Sequence, residues 1–470
     1  MKLYPRGQQG STRPCAIWAV VCKKADRALA YNETFDRPAH RRAPRQMKSV
    51  AAAIAFVWLA SCCGNALAEI AQGQVFNVRD HGATGDGKSL DTAAIQKALD
   101  ACGDAGGGTV LLPPGTYLSR PLVLRTKTRL LVESGATLRA TDDPPDYKRT
   151  DEPNKFNPFL SGEDLEDVTI AGKGVIDGAG QRWWVDAEAA RQKKPGYTLP
   201  RPNMIVLTRV TNLVVRDVTL QNSPKFHLVP VDCDGVTVSG ITILAPERSP
   251  NTDGIDPSMS RRVTITGCTI DCGDDNIAIK ASKKAKGREF ACEDITVTDC
   301  TFKHGHGMSI GSETVGGVRN VRVKNCTFEN TDNGIRIKSD RGRGGRVEDV
   351  VYENIKMTNV RGAILFSCYY PKVPAKDDAK PVTETTPHYS GIVIRNLSAT
   401  STKEAGIIAG LPERPIEGVM LENVSIEAAQ TGLEIRNARV KLKDSKIEPK
   451  KGEPYIVRDS EVDGAVGAGK

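Results

Sequence analysis

From residue 213 onward, the chain repeats one arrangement of apolar and polar positions. Apolar residues alternate with polar ones around a central polar residue or glycine, at residues 213–220, 236–243, 263–270, 295–302, 321–328, 350–357, 392–399 and 419–426. A second short apolar run follows most of these repeats, at residues 277–279, 308–310, 335–337, 364–366 and 433–435. Short strands of this kind cannot bury their apolar side alone, so successive repeats must stack. The pattern predicts an all-β solenoid, most simply a single-stranded parallel β-helix.

One segment near the start has helical spacing instead. Asp91 and Thr92 precede apolar residues at positions 94, 95, 98 and 99, and the run stops at Gly103. A capping residue, a 3.6-residue period and a terminal glycine are typical of a helix. We predict a short N-terminal capping helix here, and the spacing predicts no other helix.

Two positions carry similar residues in successive repeats. Cys268, Cys300 and Cys326 share one position, which predicts a buried ladder of small side chains. The other position holds Asp217, Gly240, Gly267, Asp299, Asn325, Asn354, Asn396 and Asn423. Asparagine and glycine tolerate a left-handed backbone, so this column predicts a turn between two strands, with stacked amides.

The net charge of +8 lies in the first part of the chain. Residues 1–68 hold eleven Lys and Arg against three Asp and Glu, and the remainder holds 54 of each. The body of the protein is therefore formally neutral. Its charge gives no support for a nucleic-acid-binding function.

Residues 47–68 have the organisation of a secretory signal peptide. Lys48 lies at their start, residues 51–60 are apolar, and residues 66–68 form a small-x-small cleavage site. We predict a mature chain that begins near Glu69 and is secreted, either outside the cell or into the periplasm.

Two other interpretations of the leader stay open. Residues 59–62 resemble a lipoprotein signal, in which Cys62 would be acylated and would anchor the protein to a membrane. Residues 1–46 precede Met47 and are either an over-extended gene start, which we favour, or a disordered extension. We expect residues 69–470 to form one β-helix domain that is monomeric.

Eight of the twelve cysteines lie in this domain, at positions 102, 233, 268, 272, 292, 300, 326 and 368. They include no Cys-x-x-Cys pair, which argues against a zinc site. Export permits disulfides. The best candidate pair is Cys272 with Cys292, across a basic loop.

Carboxylates crowd two polar interruptions between strands, NTDGID and GDDN. Asp253 and Asp256 lie in the first, and Asp274 and Asp275 in the second. Adjacent acids repel each other and separate their pKa values, an arrangement that glycosidic bond hydrolysis uses. Because three of these acids come just ahead of short strands in adjacent coils, stacking should bring them within about 4.8 Å of one another. We assign Asp256 to a structural turn.

The next two coils continue this column with other polar groups. His306 lies between two glycines, and the following strand carries Arg336 and Lys338 beside Ile335 and Ile337. Because side chains alternate along a strand, inward isoleucines place both cations outward on one face. Carboxylic acids can cleave a glycosidic bond, while fixed cations bind carboxylates of a substrate.

Each of these groups alone has an ordinary structural explanation. Asp274 with Asp275 fits a solvated loop or a calcium ligand pair, His306 fits a structural histidine, and Arg336 with Lys338 fits a solvated strand face. Their occurrence in register in consecutive coils favours a functional site.

Taken together and in this order, the motifs NTDG, GDD, GHG and RIK resemble the signature of glycoside hydrolase family 28, the polygalacturonases. They start at residues 251, 273, 305 and 336, and the resemblance spans residues 76–440. It is greatest to secreted bacterial members. The resemblance implies a right-handed parallel β-helix that hydrolyses α-1,4-linked galacturonan with inversion, without a metal or cofactor.

By motif position, the resemblance also implies catalytic residues. Asp274 would be the general acid that protonates the leaving oxygen, and Asp253 and Asp275 would activate water. His306 would maintain the protonation state of the acid. We expect the ionised Asp253 and Asp275 to raise the pKa of Asp274, which keeps a proton available at mildly acidic pH.

The same resemblance implies a binding site for an acidic polysaccharide such as pectate. Arg336 and Lys338 would bind galacturonate carboxylates, and Tyr370 falls where the family places a substrate-stacking tyrosine, although Tyr369 adjoins it. Further basic residues are expected to attract the polyanion, namely Lys280, Lys283, Lys284, Arg341, Arg343 and Arg346.

Four alternatives remain at this point, one of which is another pectin-backbone hydrolase of the same family. A pectate lyase would share the β-helix but would use calcium-binding acids and an arginine base. A non-catalytic polysaccharide-binding solenoid would need none of the acids. Exo attack also competes with endo attack, which we favour, depending on whether loops at residues 182–199 and 371–387 block one end of the cleft.

Overall fold

The computed structural model describes residues 73–152 and 155–464. Residues 1–46, the predicted signal peptide at 47–68 and Cys62 lie outside these ranges. The bounds proposed for those segments therefore stay predictions.

Strands dominate the described part of the chain. In chain order they are β1 (Val75–Asn77), β2 (Asp86–Leu90), β3 (Gly108–Leu112), β4 (Gly115–Ser119), β5 (Leu122–Val123), β6 (Thr128–Val132), β7 (Ala136–Ala140), β8 (Leu160–Glu163), β9 (Glu166–Ala171), β10 (Val175–Asp177), β11 (Ile205–Thr208), β12 (Thr211–Arg216), β13 (Thr219–Gln221), β14 (Leu228–Val231), β15 (Asp234–Ser239), β16 (Thr242–Leu244), β17 (Arg261–Thr266), β18 (Thr269–Asp271), β19 (Ile277–Ile279), β20 (Cys292–Thr298), β21 (Thr301–Phe302), β22 (Met308–Gly311), β23 (Val318–Lys324), β24 (Thr327–Glu329), β25 (Asn333–Lys338), β26 (Arg346–Ser367), β27 (His388–Ala409), β28 (Ile416–Ala428), β29 (Thr431–Arg436), β30 (Ala438–Lys443), β31 (Lys446–Pro449), β32 (Tyr455–Arg458) and β33 (Glu461–Asp463).

These strands stack in three parallel columns, one strand of each column per coil. The first column runs through β1, β3, β6, β9, β12, β15, β17, β20 and β23, and the second through β2, β4, β7, β10, β13, β16, β18, β21 and β24. The third contains β5, β8, β11 and β14 and then β19, β22 and β25. Near the C-terminus the corners straighten, so that β26 alone pairs with β23, β24 and β25. The fold is the predicted right-handed parallel β-helix.

The interior of the coil is filled by side chains that stack in register. The first apolar position of the predicted repeats is buried in each coil, at Leu213, Val236, Val263, Ile295, Val321, Val350, Ile392 and Val419. Parallel pairing places each of these residues directly against the next. Because identical positions stack, the 23- to 42-residue repeat in the sequence predicts the coil. The coils before residue 213 lack a regular spacing, so the repeat did not identify them, although the apolar runs at residues 109–112, 117–118 and 130–132 predict the strands that are found there.

The described chain has two α-helices. The predicted capping helix is α1 (Thr92–Asp104), whose buried face consists of Ile95, Ala98, Leu99 and Cys102. A second helix, α2 (Gln181–Lys193), occupies part of the segment that we expected to be a loop. It buries only Trp183 and Ala187, so no helical stripe of apolar residues reveals it. No described helix is both long and apolar enough to cross a membrane.

The two ladders are present as predicted. Asn325, Asn354, Asn396 and Asn423 all have φ between 53° and 56°. Each amide of the last three donates to the side chain before it, at 3.0, 3.0 and 2.9 Å. Cys268, Cys300 and Cys326 are buried, each 1% exposed.

The predicted disulfide between Cys272 and Cys292 is wrong, because all eight described cysteines are free thiols. Cys272 follows β18 and lies 3.3 Å from the carbonyl oxygen of Asp274. Cys292 begins β20 and lies 3.3 Å from the carbonyl oxygen of Lys280. The two thiols therefore point to different backbone segments, although export would have permitted a bond between them.

Candidate active site

The candidate polar residues lie along the third column of strands. Successive coils align there at a core position that is filled by Ile255, Ile277, Met308 and Ile335. Asp253, Asp275 and His306 each precede this core position by two residues. The coil register therefore places these three side chains in one line, as the sequence predicted.

Asp275 lies against both cations of the site. Its carboxylate lies 2.6 Å from Nζ of Lys338 and 3.2 Å from Nη1 of Arg336. The hydroxyl of Ser309 donates a third contact at 2.8 Å. Two fixed cations and a hydroxyl therefore surround a side chain that is 3% exposed.

Arg336 and Lys338 leave the core as predicted, because Ile335 and Ile337 take the inward positions and are fully buried. They do not form a solvated face, however. The Lys338 side chain is only 7% exposed, since it lies against Asp275. Strand alternation predicts the direction of these cations but not the carboxylate that covers them.

Asp274 forms a pair with His306. The Nδ1 atom of His306 lies 3.0 Å from Oδ1 of Asp274. Although burial opposes the change, the hydrogen bond and charge of His306 lower the pKa of Asp274 below its usual value. Burial would lower the pKa of His306, but the hydrogen bond and charge of Asp274 outweigh burial, so the pKa of His306 is raised. The expectation that neighbouring acids raise the pKa of Asp274 is therefore wrong, because the contact with His306 and the charge of Lys338 lower it.

Asp253 and Asp256 share one ammonium group. Nζ of Lys280 lies 3.0 Å from Oδ2 of Asp253 and 2.5 Å from Oδ2 of Asp256. Burial, opposed by Lys280, raises the pKa of both carboxyls, that of Asp256 to about 6. The N–H of Asp256 donates to the carbonyl of Leu228, and its neighbour Ile255 pairs in parallel with that residue, so Asp256 continues the stacked coil and its assignment to a structural turn is wrong.

Asn251 and Arg201 support the acids from behind. Asn251 has a left-handed backbone, with φ 54°, and its amide donates to Oδ2 of Asp274 at 3.3 Å. Nη2 of Arg201 donates to the Asn251 side-chain oxygen at 2.7 Å. No sequence pattern selects Arg201, because it lies fifty residues before its partner in an irregular segment.

Tyr370 lies at the cationic end of the site. Its ring centroid is 5.9 Å from the guanidinium carbon of Arg336 and 5.4 Å from Nζ of Lys338. The adjacent Tyr369 is buried, 8% exposed, and packs against Arg341 and Arg436 instead. The geometry thus brings Tyr370, and not Tyr369, next to the predicted binding residues.

Several basic residues that were expected to attract a polyanion are already paired. Arg341 contacts Glu413 at 2.6 Å and Asp377 at 2.5 Å. Arg346 contacts Glu289 and Glu348, and Lys284 contacts Glu384. Lys280 is also an internal partner of acids. The group of cations free to attract a polyanion is accordingly smaller than the sequence indicated.

Asp274, Asp275 and His306 also have the composition of a metal site. They offer three ligand atoms that lie within 4.8 Å of one another. A divalent cation there would face the ammonium of Lys338 and the guanidinium of Arg336, which already contact Asp275. The arrangement fits acid–base chemistry better than cation binding.

Comparison with known proteins agrees with the motifs. The model of the family described as glycosyl hydrolases family 28 matches residues 102–444. The chain belongs to glycosyl hydrolase family 28. It is thus a glycoside hydrolase, and all four motifs of the site lie inside the matched region of this family 28 protein.

Individual family 28 relatives are similar over most of their length. An endo-polygalacturonase from Pectobacterium carotovorum subsp. carotovorum is 36% identical over 373 residues, which are 75% of this chain and 88% of the relative. The solved polygalacturonase from Erwinia carotovora ssp. carotovora is 29% identical with a TM-score of 0.61, and 84% of this chain covers 98% of it. The exopolygalacturonase from Thermotoga maritima is 27% identical with a TM-score of 0.66, and 80% of this chain covers 93% of it.

Proposed function

We propose that this family 28 hydrolase is a polygalacturonase that cleaves α-1,4-galacturonosyl linkages of pectate with inversion. The observation that carries the proposal is the contact of Asp275 with Arg336 and Lys338, directly beside the pair of Asp274 and His306. Acids that can exchange protons lie directly beside cations that can bind a uronate carboxylate. A neutral glycan has no carboxylate that these cations could bind.

In this proposal, Asp274 protonates the oxygen of the leaving sugar as the glycosidic bond breaks. His306 lies 3.0 Å from Asp274 and supplies the proton that the pair holds. Asp253 and Asp275 accept a proton from the water that attacks the anomeric carbon. The enzyme is restored when the pair of Asp274 and His306 takes up a proton from solvent and the base releases the proton that it accepted.

Arg336, Lys338 and Tyr370 form the proposed binding group for the substrate. The guanidinium and the ammonium can pair with a galacturonate carboxylate next to the scissile bond. The Tyr370 ring can stack on a sugar face. Both cations also contact Asp275, so binding of the substrate and activation of water involve adjacent atoms.

The reaction class is tested by incubating the protein with polygalacturonate and following reducing ends together with absorbance near the unsaturated-uronide band. Hydrolysis should release reducing ends without that band, whether or not a chelator is present. A growing band that disappears with chelator would identify a calcium-dependent lyase and overturn the proposal. Inversion should appear as β-configured reducing ends in early NMR spectra.

We further propose endo attack, in line with the name of the Pectobacterium relative. Viscosity of a polygalacturonate solution should then fall much faster than reducing ends accumulate. A slow decline in proportion to reducing ends would indicate exo attack, as in the name of the Thermotoga protein.

We also propose that the enzyme is secreted as a monomer through the signal peptide at residues 47–68. Mass spectrometry of the protein from its native host should give a mature chain that starts near Glu69. An acylated chain that starts at Cys62 would identify a lipoprotein instead. Light scattering tests the monomer.

A further inference from the structure

Lys280 occupies an unusual place for a lysine at the end of a short strand. Its ammonium lies between the carboxylates of Asp253 and Asp256, at 3.0 and 2.5 Å. The lysine side chain is 18% exposed, and those of the two acids are 5% and 0% exposed. Most lysines keep the ammonium in water, so a shielded ammonium between two acids needs an explanation.

The fold holds this ammonium in place from several directions. Lys280 directly follows β19, where its N–H donates to the carbonyl of Pro257 and its carbonyl accepts from Met259. The face of the Phe226 ring lies 3.9 Å from Nζ. Main-chain bonds, an aromatic face and two carboxylates therefore restrict the position of the charge.

The two oxygens of Asp253 have different surroundings. Oδ2 contacts Lys280, whereas Oδ1 is buried without a hydrogen-bond partner among the described residues. A carboxylate that is held by one oxygen presents the other in a fixed direction. A base that activates water needs one oxygen directed at that water.

We propose that Lys280 is a positioning residue that holds Oδ2 of Asp253, which leaves Oδ1 as the oxygen that accepts a proton from the attacking water. Asp256 is the second carboxylate that holds Lys280, and it competes with Asp253 for the ammonium group. This inference rests on the proposed function, because it assumes that Asp253 serves as a base. It assigns a role to Lys280 and Asp256 that the motifs do not give them.

The charged groups around Asp253 determine the sign of the expected effect. The carboxylates of Asp256, Asp274 and Asp275 disfavour its ionised form, as does burial. Lys280 favours the ionised form and is its direct cationic contact, whereas Lys225 and Arg201 act from farther away. Loss of Lys280 must therefore raise the pKa of Asp253, and loss of the Asp256 charge must lower it.

The test uses the pH dependence of kcat/KM on polygalacturonate. Activity rises with pH as the base ionises, so the acidic limb of the profile reports the base. Lys280→Met should move this limb to higher pH by about one to three units, and Lys280→Arg should restore most of the shift. Asp256→Asn should move the limb to lower pH. The exposed Lys356→Met, on an outward face of β26, should leave the profile unchanged.

Opposite shifts in the two variants would support the inference, since a merely structural pair would lower activity at all pH values alike. An acidic limb that stays in place in both folded variants would overturn it.

If Lys280→Met fails to fold, the double variant with Asp256→Asn removes both charges together. The acidic limb of the double variant should still lie at higher pH than that of Asp256→Asn alone. Acidic limbs at the same pH in these two variants would overturn the inference. If the wild-type protein does not hydrolyse polygalacturonate, the proposed function itself fails, which is a different result.

Discussion

The Nδ1 atom of His306 lies 3.0 Å from Oδ1 of Asp274, across two consecutive coils whose strands β19 and β22 pair in parallel. The pKa of the histidine is raised and that of the acid is lowered. The two side chains therefore titrate as one unit and share a proton. The pair keeps a proton next to the acid at a pH where an ordinary carboxyl would have lost it.

This pairing predicts the alkaline limb of the pH profile. In the wild-type enzyme, kcat/KM should fall as pH rises through the raised pKa of His306, above the ordinary value of about 6.5. His306→Gln should move the limb to lower pH and reduce kcat by about 10²-fold or more, because Asp274 then loses its proton source. His304→Gln is the matched control, since His304 contacts Asp271 instead. An unchanged limb in His306→Gln would contradict the shared proton.

The same pair predicts a pH window for stability. The raised pKa of His306 contributes stability below about pH 6.5 that is lost as pH rises through the folded pKa. The lowered pKa of Asp274 contributes above about pH 4 and is lost as pH falls. The wild-type enzyme should therefore exceed His306→Gln in unfolding free energy most clearly between these limits, as measured by urea denaturation at several pH values.

Asp274→Asn tests the general acid directly. Asparagine has nearly the same shape but cannot deliver the proton, so kcat of the folded variant should fall by about 10²- to 10⁴-fold. Asp271→Asn, which alters an acid just outside the site, should keep nearly full activity. Retention of most of the activity in Asp274→Asn would sink the assignment of the acid and, with it, the mechanism.

The sequence predicts those parts of the site that follow from the spacing of the repeats. The column of Asp253, Asp275 and His306 follows from repeat spacing, because parallel coils stack equivalent positions. The placement of Asp256 and Lys280 did not follow, since their pairing depends on which side of a turn each side chain faces. The sign of the Asp274 pKa shift also depends on one contact distance, which no spacing in the sequence specifies.

The fold, too, was predicted most completely where the sequence repeats. The repeats from residue 213 onward were readable because each coil has similar length and buried positions. Helix α2 was not, because it buries two side chains on the outside of the solenoid, where Trp183 packs edge-on against Tyr147 and Phe156 at 5.7 and 5.3 Å. Such packing is tertiary and leaves no period in the sequence.

Arg336 and Lys338 should behave differently when each is replaced by methionine. Lys338 and Asp275 form a buried pair, so Lys338→Met should lower the unfolding free energy by about 3–5 kcal/mol. Arg336 is more exposed, at 14%, and its loss should mainly raise KM for polygalacturonate, by about 10- to 100-fold, through the lost carboxylate contact. The KM effect should shrink on highly methyl-esterified pectin. Equal destabilisation by both variants would contradict this division.

The free thiols make a simple prediction about reducing agents. All eight described cysteines are buried and unpaired with one another. Reductant should therefore leave the thermal midpoint unchanged, and thiol reagents should react only after denaturation. Cys272→Ser and Cys292→Ser serve as a matched pair, since neither should alter the response to reductant. A lower midpoint on reduction would reveal a disulfide.

The asparagine ladder can be tested at Asn354, which lies far from the proposed acids in sequence. Its φ is 56°, and it both donates to Asn325 and accepts from Asn396 at 3.0 Å. Asn354→Ala should cost about 1–2 kcal/mol of unfolding free energy for the left-handed backbone, in addition to the lost amide contacts. Asn354→Gly should cost less, because glycine adopts this conformation freely and already occupies the same column at Gly240 and Gly267, with φ of 60° and 61°. Urea denaturation measures both variants. If alanine proved no worse than glycine, the backbone would not be what selects asparagine here, and the stacked amides alone would have to explain the ladder.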